Sequence, residues 1–131
     1  MKALSLKQPW LELILQGKKK IEIRKWNTNF RGEFLIHASK IPDEASMKRF
    51  NFKMSELPLG YIVGKATLLE VKKYKNDKEF QKDKYLHLAT KEFGNYGFIL
   101  KNVERIKPIK CKGSLNFWDF NDKKVILNSN V

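Results

Sequence analysis

Apolar positions along the chain change their period several times. Ala3 to Leu6 reads as a short strand. From Pro9 the spacing becomes helical, with Trp10, Leu13, Ile14 and Gly17 in register on one face. Leu11 and Leu15 lie elsewhere on the same helix, so it is apolar over much of its girth and is expected to be buried. Pro9 suits the first turn and Gly17 is a natural stop. Lys18 to Lys20 then stand against the negative helix end. Lys20 to Trp26 alternates with period two. Ile21 and Ile23 face one way, and Glu22, Arg24 and Trp26 the other. A strand built only to pack has no need of two charges in its middle.

Further along, Glu33 to Ser39 predicts a second long strand, and the Pro42-Asp43 pair opens a surface helix. "LPLGYIVGKATLLEVKKY" predicts a buried strand, with Gly60 marking a turn and Gly64 a bulge. "NDKEFQKDKYLHLATKEF" is polar and reads as helix or loop. "YGFILKNVERIKPIKCKG" predicts a strand pair broken near Pro108. "LNFWDF" closes the fold, and residues 122–131 read as a frayed tail. Strands in this number, with helices inserted irregularly between them, predict an α+β fold on a mixed sheet or small barrel. The chain reads as one domain, residues 1–131.

Composition adds the partner. The chain has 131 residues, 27 of them Lys or Arg against 14 acids, a net charge of +13. That balance favours a polyanion, most often nucleic acid. The plainer reading is a lysine coat, and the lysine clusters are too scattered to decide between the two. The single cysteine, Cys111, excludes an internal disulfide and a cysteine-based zinc cluster. Two histidines, His37 and His87, offer no metal-ligand pattern, so neither metal nor cofactor is expected. No apolar run reaches the length of a membrane span and the start has no signal-peptide core. A cytoplasmic protein without a membrane partner is expected.

"LSLKQPW", "GKKKIEIR" and "RGEFLIHASK" together resemble the ASCH domain, whose hallmark G-x-K-x-x-E-x-R falls on Gly17, Lys19, Glu22 and Arg24. The flanking features fit as well: Gln8-Pro9-Trp10 at the helix start, Trp26 two residues after the motif arginine, and Arg31-Gly32 before the next strand. "LGYIVGKATLLEV", "FILKN" and "PIKCKGSLNFWDF" extend the likeness over nearly the whole chain. The resemblance implies a PUA-like fold, a small mixed β-barrel with helices covering its openings. It also implies nucleic-acid binding, RNA favoured over DNA, in a cleft lined by the hallmark residues.

On that basis the expected binding set is Lys7, Gln8, Lys19, Glu22, Arg24, Trp26, Arg31, Ser39 and Lys40. Arg24 would meet a phosphate or base edge, and Glu22 would accept from a base or hold Lys19. Against this stands a structural ion pair closing the barrel end. Lys19 reads as a phosphate contact or as one more surface lysine. Trp26 reads as a stacking platform or as core. Lys7 and Gln8 mark a phosphate-binding helix start or a plain helix entry. Ser39 and Lys40 would rim the cleft. Trp10 and Trp118 read as core, and His37 as a satisfied buried histidine.

Some small ASCH proteins resemble amidohydrolases that deacetylate N4-acetylcytidine through a lysine, a threonine and a glutamate. Lys19 matches the lysine, but Glu22 stands at the threonine position, and a carboxylate cannot replace a hydroxyl nucleophile in that step. The first reading is therefore binding without catalysis. A hydrolase acting on a modified nucleoside or RNA, with Lys19 and Glu22 as working pair, is the alternative. A protein-interaction adaptor in transcription or translation is the third.

Overall fold

The first helix shows how local signals set the frame. In the computed structural model, which describes residues 1–121, α1 spans Trp10–Leu15 and stops as its sequence predicts. Gly17 takes φ +78°. The Lys18 N–H then reaches the Leu13 carbonyl, and the Gly17 N–H reaches that of Ile14, which satisfies two of the last helical acceptors. At the other end the Gln8 side chain accepts from the Glu12 N–H at 3.0 Å. The tail expected to fray, 122–131, lies outside the described residues.

Among the described residues the strands are β1 (Lys2–Leu6), β2 (Ile21–Arg24), β3 (Gly32–Ala38), β4 (Tyr61–Lys73), β5 (Tyr96–Lys110) and β6 (Phe117–Asp119). The remaining α-helices are α2 (Glu44–Arg49), α3 (Asp77–Lys82) and α4 (Lys84–His87). All six strands join one sheet in the order β2-β5-β4-β3-β1-β6. It is mixed, as expected, because β1 runs parallel to β3 while the other pairs are antiparallel.

The sheet is not closed among these residues. β2 and β6 stand at its two ends, and no pairing joins them. The expected barrel is therefore corrected to an open, strongly curled sheet. Its curl can be measured by aromatic contacts. β5 and β6 are four strand steps apart, roughly 19 Å in a flat sheet. Yet the Phe98 and Phe117 rings are stacked with centroids 6.3 Å apart, and Trp26, just past β2, meets Phe117 at 6.0 Å. The core fills this curl with Leu4, Leu6, Phe34, Ile36 and Phe98, together with Leu11 and Ile14 from α1. A second cluster joins Ile21 and Ile23 of β2 to Trp10, Leu13, Tyr74 and Phe80.

Two further expectations meet the structure here. The bulge at Gly64 is present, with the β4 register shifting against both neighbours. A Cβ there would lie 2.7 Å from Leu15 Cδ2 and 2.9 Å from the Glu104 carbonyl oxygen, so glycine lets α1 and β5 approach β4. The predicted strand pair is one strand, β5, of 15 residues, but its register against β4 jumps from Arg105 to Ile109, so the interruption expected near Pro108 is a bulge and not a break. β2 pairs with β5 only over residues 96–99, so Pro108 lies on a stretch with β4 alone as neighbour, where a missing N–H is tolerated.

Candidate functional site

The alternation of β2 separates its two faces as the sequence predicts. Ile21 and Ile23 pack into the second core cluster, while Glu22, Arg24 and Trp26 line a cleft of ≈ 630 Å³ whose wall Ile23 also touches. That volume suits a ligand of one or two nucleotides. Lys7 and Ser39 also line it, as do Asp43, Phe93 and a loop from Gly113 to Asn116. Its basic residues are Lys7, Arg24 and Lys25, and its acids are Glu22 and Asp43.

Arg24 is held on two sides. Its Nε donates to Glu22 Oε2 at 3.1 Å, and its Nη2 donates to the Ser5 carbonyl oxygen at 2.8 Å. Nη2 also lies 3.0 Å from Glu22 Oε2. The first bond is local to β2, whereas the second crosses from one end of the sheet to β1, which only the curl permits. No hydrogen bond to Nη1 is formed among the described residues, so that edge of the guanidinium has donors to spare. Trp26 is half-buried, its ring set edge-on against Phe98 and Phe117.

Lys19 is placed differently from the expected phosphate contact. It is 1% exposed. Its Nζ donates to the His87 carbonyl, lies 3.6 Å from Glu22 Oε1 and sits 4.7 Å from the centre of the Trp10 ring. Burial pushes the ammonium down to about 8, against the attraction of Glu22. Lys19 therefore props Glu22 from behind, and this corrects both its phosphate and its surface readings. Gln8 is likewise fully buried, bonded to the Glu12 N–H and to the Pro58 carbonyl. It shapes the helix entry in place of reading a base.

Arg31 turns away from the cleft. It donates to the Thr28 and Phe30 carbonyls and pairs with Glu70 at 3.1 Å. Lys40 is exposed and is not among the cleft-lining residues. Arg31 belongs to the expected set through the resemblance and Lys40 through its place after β3, but neither side chain lines the cleft. Trp10 belongs to the second core cluster and donates its indole N–H to Asp43 at 3.3 Å. The fit of Asp43 is tight. Burial works to raise its carboxyl, but bonds from Ser46 and Trp10 outweigh that and hold it below the usual range.

Sequence reasoning missed Asp43, Phe93, Ser5, His37 and the 113–116 loop. Asp43 was legible only as a helix start, and it does cap α2 through the Ser46 N–H. The others reach the cleft through strand pairing and the curl, which no local pattern encodes.

The ASCH domain family matches residues 4–110 of the chain. Activating signal cointegrator 1 from Mus musculus and from Homo sapiens are each 26% identical over 133 residues, covering 92% of this chain and 22% of their own length. The chain thus spans about a fifth of those relatives. Among solved structures, ASCH from Zymomonas mobilis superposes with a TM-score of 0.66 at 13% identity, over 98% of this chain and 92% of that one. A serine-to-alanine mutant of the same protein gives 0.70, over 98% and 94%. No helix among the described residues is long and apolar enough to cross a membrane.

Proposed function

The chain belongs to the ASCH domain family, and from that premise we propose that it binds single-stranded nucleic acid, RNA in preference to DNA, in the cleft that Glu22, Arg24 and Trp26 line. The observation that carries this reading is the posture of Arg24. Its guanidinium is oriented by a carboxylate and a backbone carbonyl, so little rotamer freedom is left to lose on binding. Its remaining N–H groups are free to meet a phosphate or a base edge. Trp26 offers an aromatic surface beside it, and Lys7 and Lys25 add charge at the rim. The size of the cleft favours unstacked bases over a duplex.

Burial of Lys19 favours binding over the hydrolytic alternative. A group that must meet substrate needs access, and this ammonium is already bonded to the His87 carbonyl inside the wall.

Fluorescence anisotropy with a short single-stranded RNA tests the reading. Affinity should fall steeply between 50 and 200 mM salt, in proportion to the phosphates neutralised, on the order of −0.7 in log–log slope for each. Arg24→Ala should weaken binding by about 1–3 kcal/mol. A variant that keeps the wild-type circular dichroism spectrum and binds RNA unchanged sinks the cleft. The DNA version of the same oligonucleotide should bind more weakly if the 2′-hydroxyl is read.

A further inference from the structure

Two polar residues of the cleft wall take no part in the reading above. β1 and β3 run parallel in a register that pairs Ser5 with His37. Ser5 Oγ lies 2.8 Å from His37 Nδ1, and His37 Nε2 lies 2.8 Å from the Cys111 carbonyl oxygen. A carbonyl oxygen only accepts, so Nε2 carries the ring proton. In the neutral ring Nδ1 then has only a lone pair, and the Ser5 hydroxyl must donate to it. Burial keeps His37 below its ordinary value, an effect that the bond to Cys111 offsets only in part. The single proton of Ser5 is therefore committed inside the wall, and Ser5 Oγ has only lone pairs left to offer.

Gly113 packs directly against that oxygen. A Cβ on Gly113 would come within 2.4 Å of Ser5 Oγ and 2.7 Å of His37 Cε1. Only glycine fits this close approach, which seats Ser5 beside Gly113 and Ser114 in the cleft wall. Arg24 links this corner to Glu22, since one guanidinium bonds the Ser5 carbonyl and the Glu22 carboxylate. The result is two groups that accept hydrogen bonds, flanking one that donates.

We propose that Ser5 and Glu22 make this wall select a nucleobase edge that carries an amino group, as in cytosine or adenine, over the carbonyl edge of uracil. The inference rests on the cleft being the nucleic-acid site. An exocyclic amine brings N–H donors to Ser5 Oγ or to the carboxylate. The C4 carbonyl of uracil brings lone pairs to lone pairs and leaves both sides unpaired. Ser5 is then a specificity-determining residue, and His37 with the Cys111 carbonyl are the groups that set its polarity.

The test compares ten-nucleotide oligo(C) and oligo(U) RNAs by anisotropy at pH 7.5 and constant salt. The wild-type protein is expected to hold oligo(C) about 3–10-fold more tightly, the worth of one well-made hydrogen bond. Ser5→Ala should bring the ratio of affinities towards 1. Gly113→Ala, whose Cβ would push the Ser5 hydroxyl aside, should do the same. Circular dichroism on both variants separates this from unfolding, since an unfolded chain of net charge +13 would also hold the two RNAs alike. Equal affinities for the two RNAs in the wild-type protein, or a ratio that survives both substitutions, overturns the proposal. Salt-dependent binding without discrimination defeats this inference alone, whereas absence of binding to either RNA defeats the cleft reading and this inference with it.

Discussion

Lys19 shows how far the role of one residue depends on its burial. The hallmark position reads as a cation offered to phosphate, yet the ammonium is sealed behind Glu22 and against the face of Trp10. Its folded-state value of about 8 lies below the ordinary 10.5. Between those values the unfolded chain holds a proton that the folded chain has lost, so this residue makes stability rise with pH across that window. Tyr74 acts the opposite way at the top of the range. Burial and the neighbouring Asp83 raise its hydroxyl above the ordinary 10.0, so its contribution is lost as pH climbs past that value. Urea unfolding of the wild-type protein and Lys19→Met at pH 7.5 and 9.5 isolates the lysine. The wild-type protein should gain on the order of 1–2 kcal/mol relative to the variant at the higher pH. A difference that is the same at both pH values would show that the ammonium keeps its ordinary value. Glu12 is a milder case. Burial works to raise it, but bonds from Arg105 and Gln16 outweigh that and hold it below the usual carboxylate range. Its share of stability is lost as pH falls through that lowered value.

At the scale of elements, the end of β2 is positioned by a residue far along the chain. Gly94 precedes β5 with φ +134°, and a Cβ on it would fall 2.2 Å from the Arg24 carbonyl oxygen and 2.7 Å from the Lys25 nitrogen. This approach holds the backbone where Arg24 turns into the cleft. Backbone atoms cannot swing aside as a side chain can, and the φ itself is costly for any residue with a Cβ. Gly94→Ala should therefore cost about 3 kcal/mol or more. It should weaken RNA binding as well, because Arg24 is displaced. Thermal melts and anisotropy on the same preparation check both. Stability and affinity at wild-type levels would show that β2 does not depend on this contact. α2 is built by more ordinary means, since Asp43 caps it through the Ser46 N–H and hydroxyl while bonding the Trp10 indole. One carboxylate thereby fixes a helix, anchors a core tryptophan and contributes to the cleft wall.

At the scale of the whole molecule, aromatic rings hold the two ends of the sheet together. Phe98 is fully buried, meets Trp26 edge-on at 5.2 Å and lies flat against Phe117 at 6.3 Å. Trp26 follows one terminal strand and Phe117 begins the other, so these contacts do part of the work that strand pairing would do in a closed barrel. Phe98→Ala should cost about 3–5 kcal/mol. It should also loosen the bond between Arg24 and the Ser5 carbonyl, which spans the same gap. Hydrogen exchange would report this as lost protection in β2 and β6 together. Loss confined to β5 would count against aromatic closure.

Much of this protein was legible in its residues. The period-two alternation of Ile21 to Trp26 placed Glu22, Arg24 and Trp26 on one face, because side chains on a strand must alternate whatever surrounds them. Gly17 ended α1 and Gly64 marked a bulge for equally local reasons, and the mixed α+β class followed from the order of elements. The site was legible only as far as one strand could show it. Lys19, two residues before β2, went behind the cleft, and Arg31, just before β3, turned towards Glu70. Sequence spacing fixes which residues share a face, but not what lies across from that face. Ser5, His37 and Gly113 come from three separate segments, and only strand register and the fold of the chain after β5 bring them into contact. The open edges of the sheet were decided in the same way, by how far it curls before its aromatic core is full. The chain by itself determined its strands, its helix ends and the charged face of β2. The tertiary structure decided which of those charges meet solvent, because burial is a property of everything that packs around a residue and not of the residue itself.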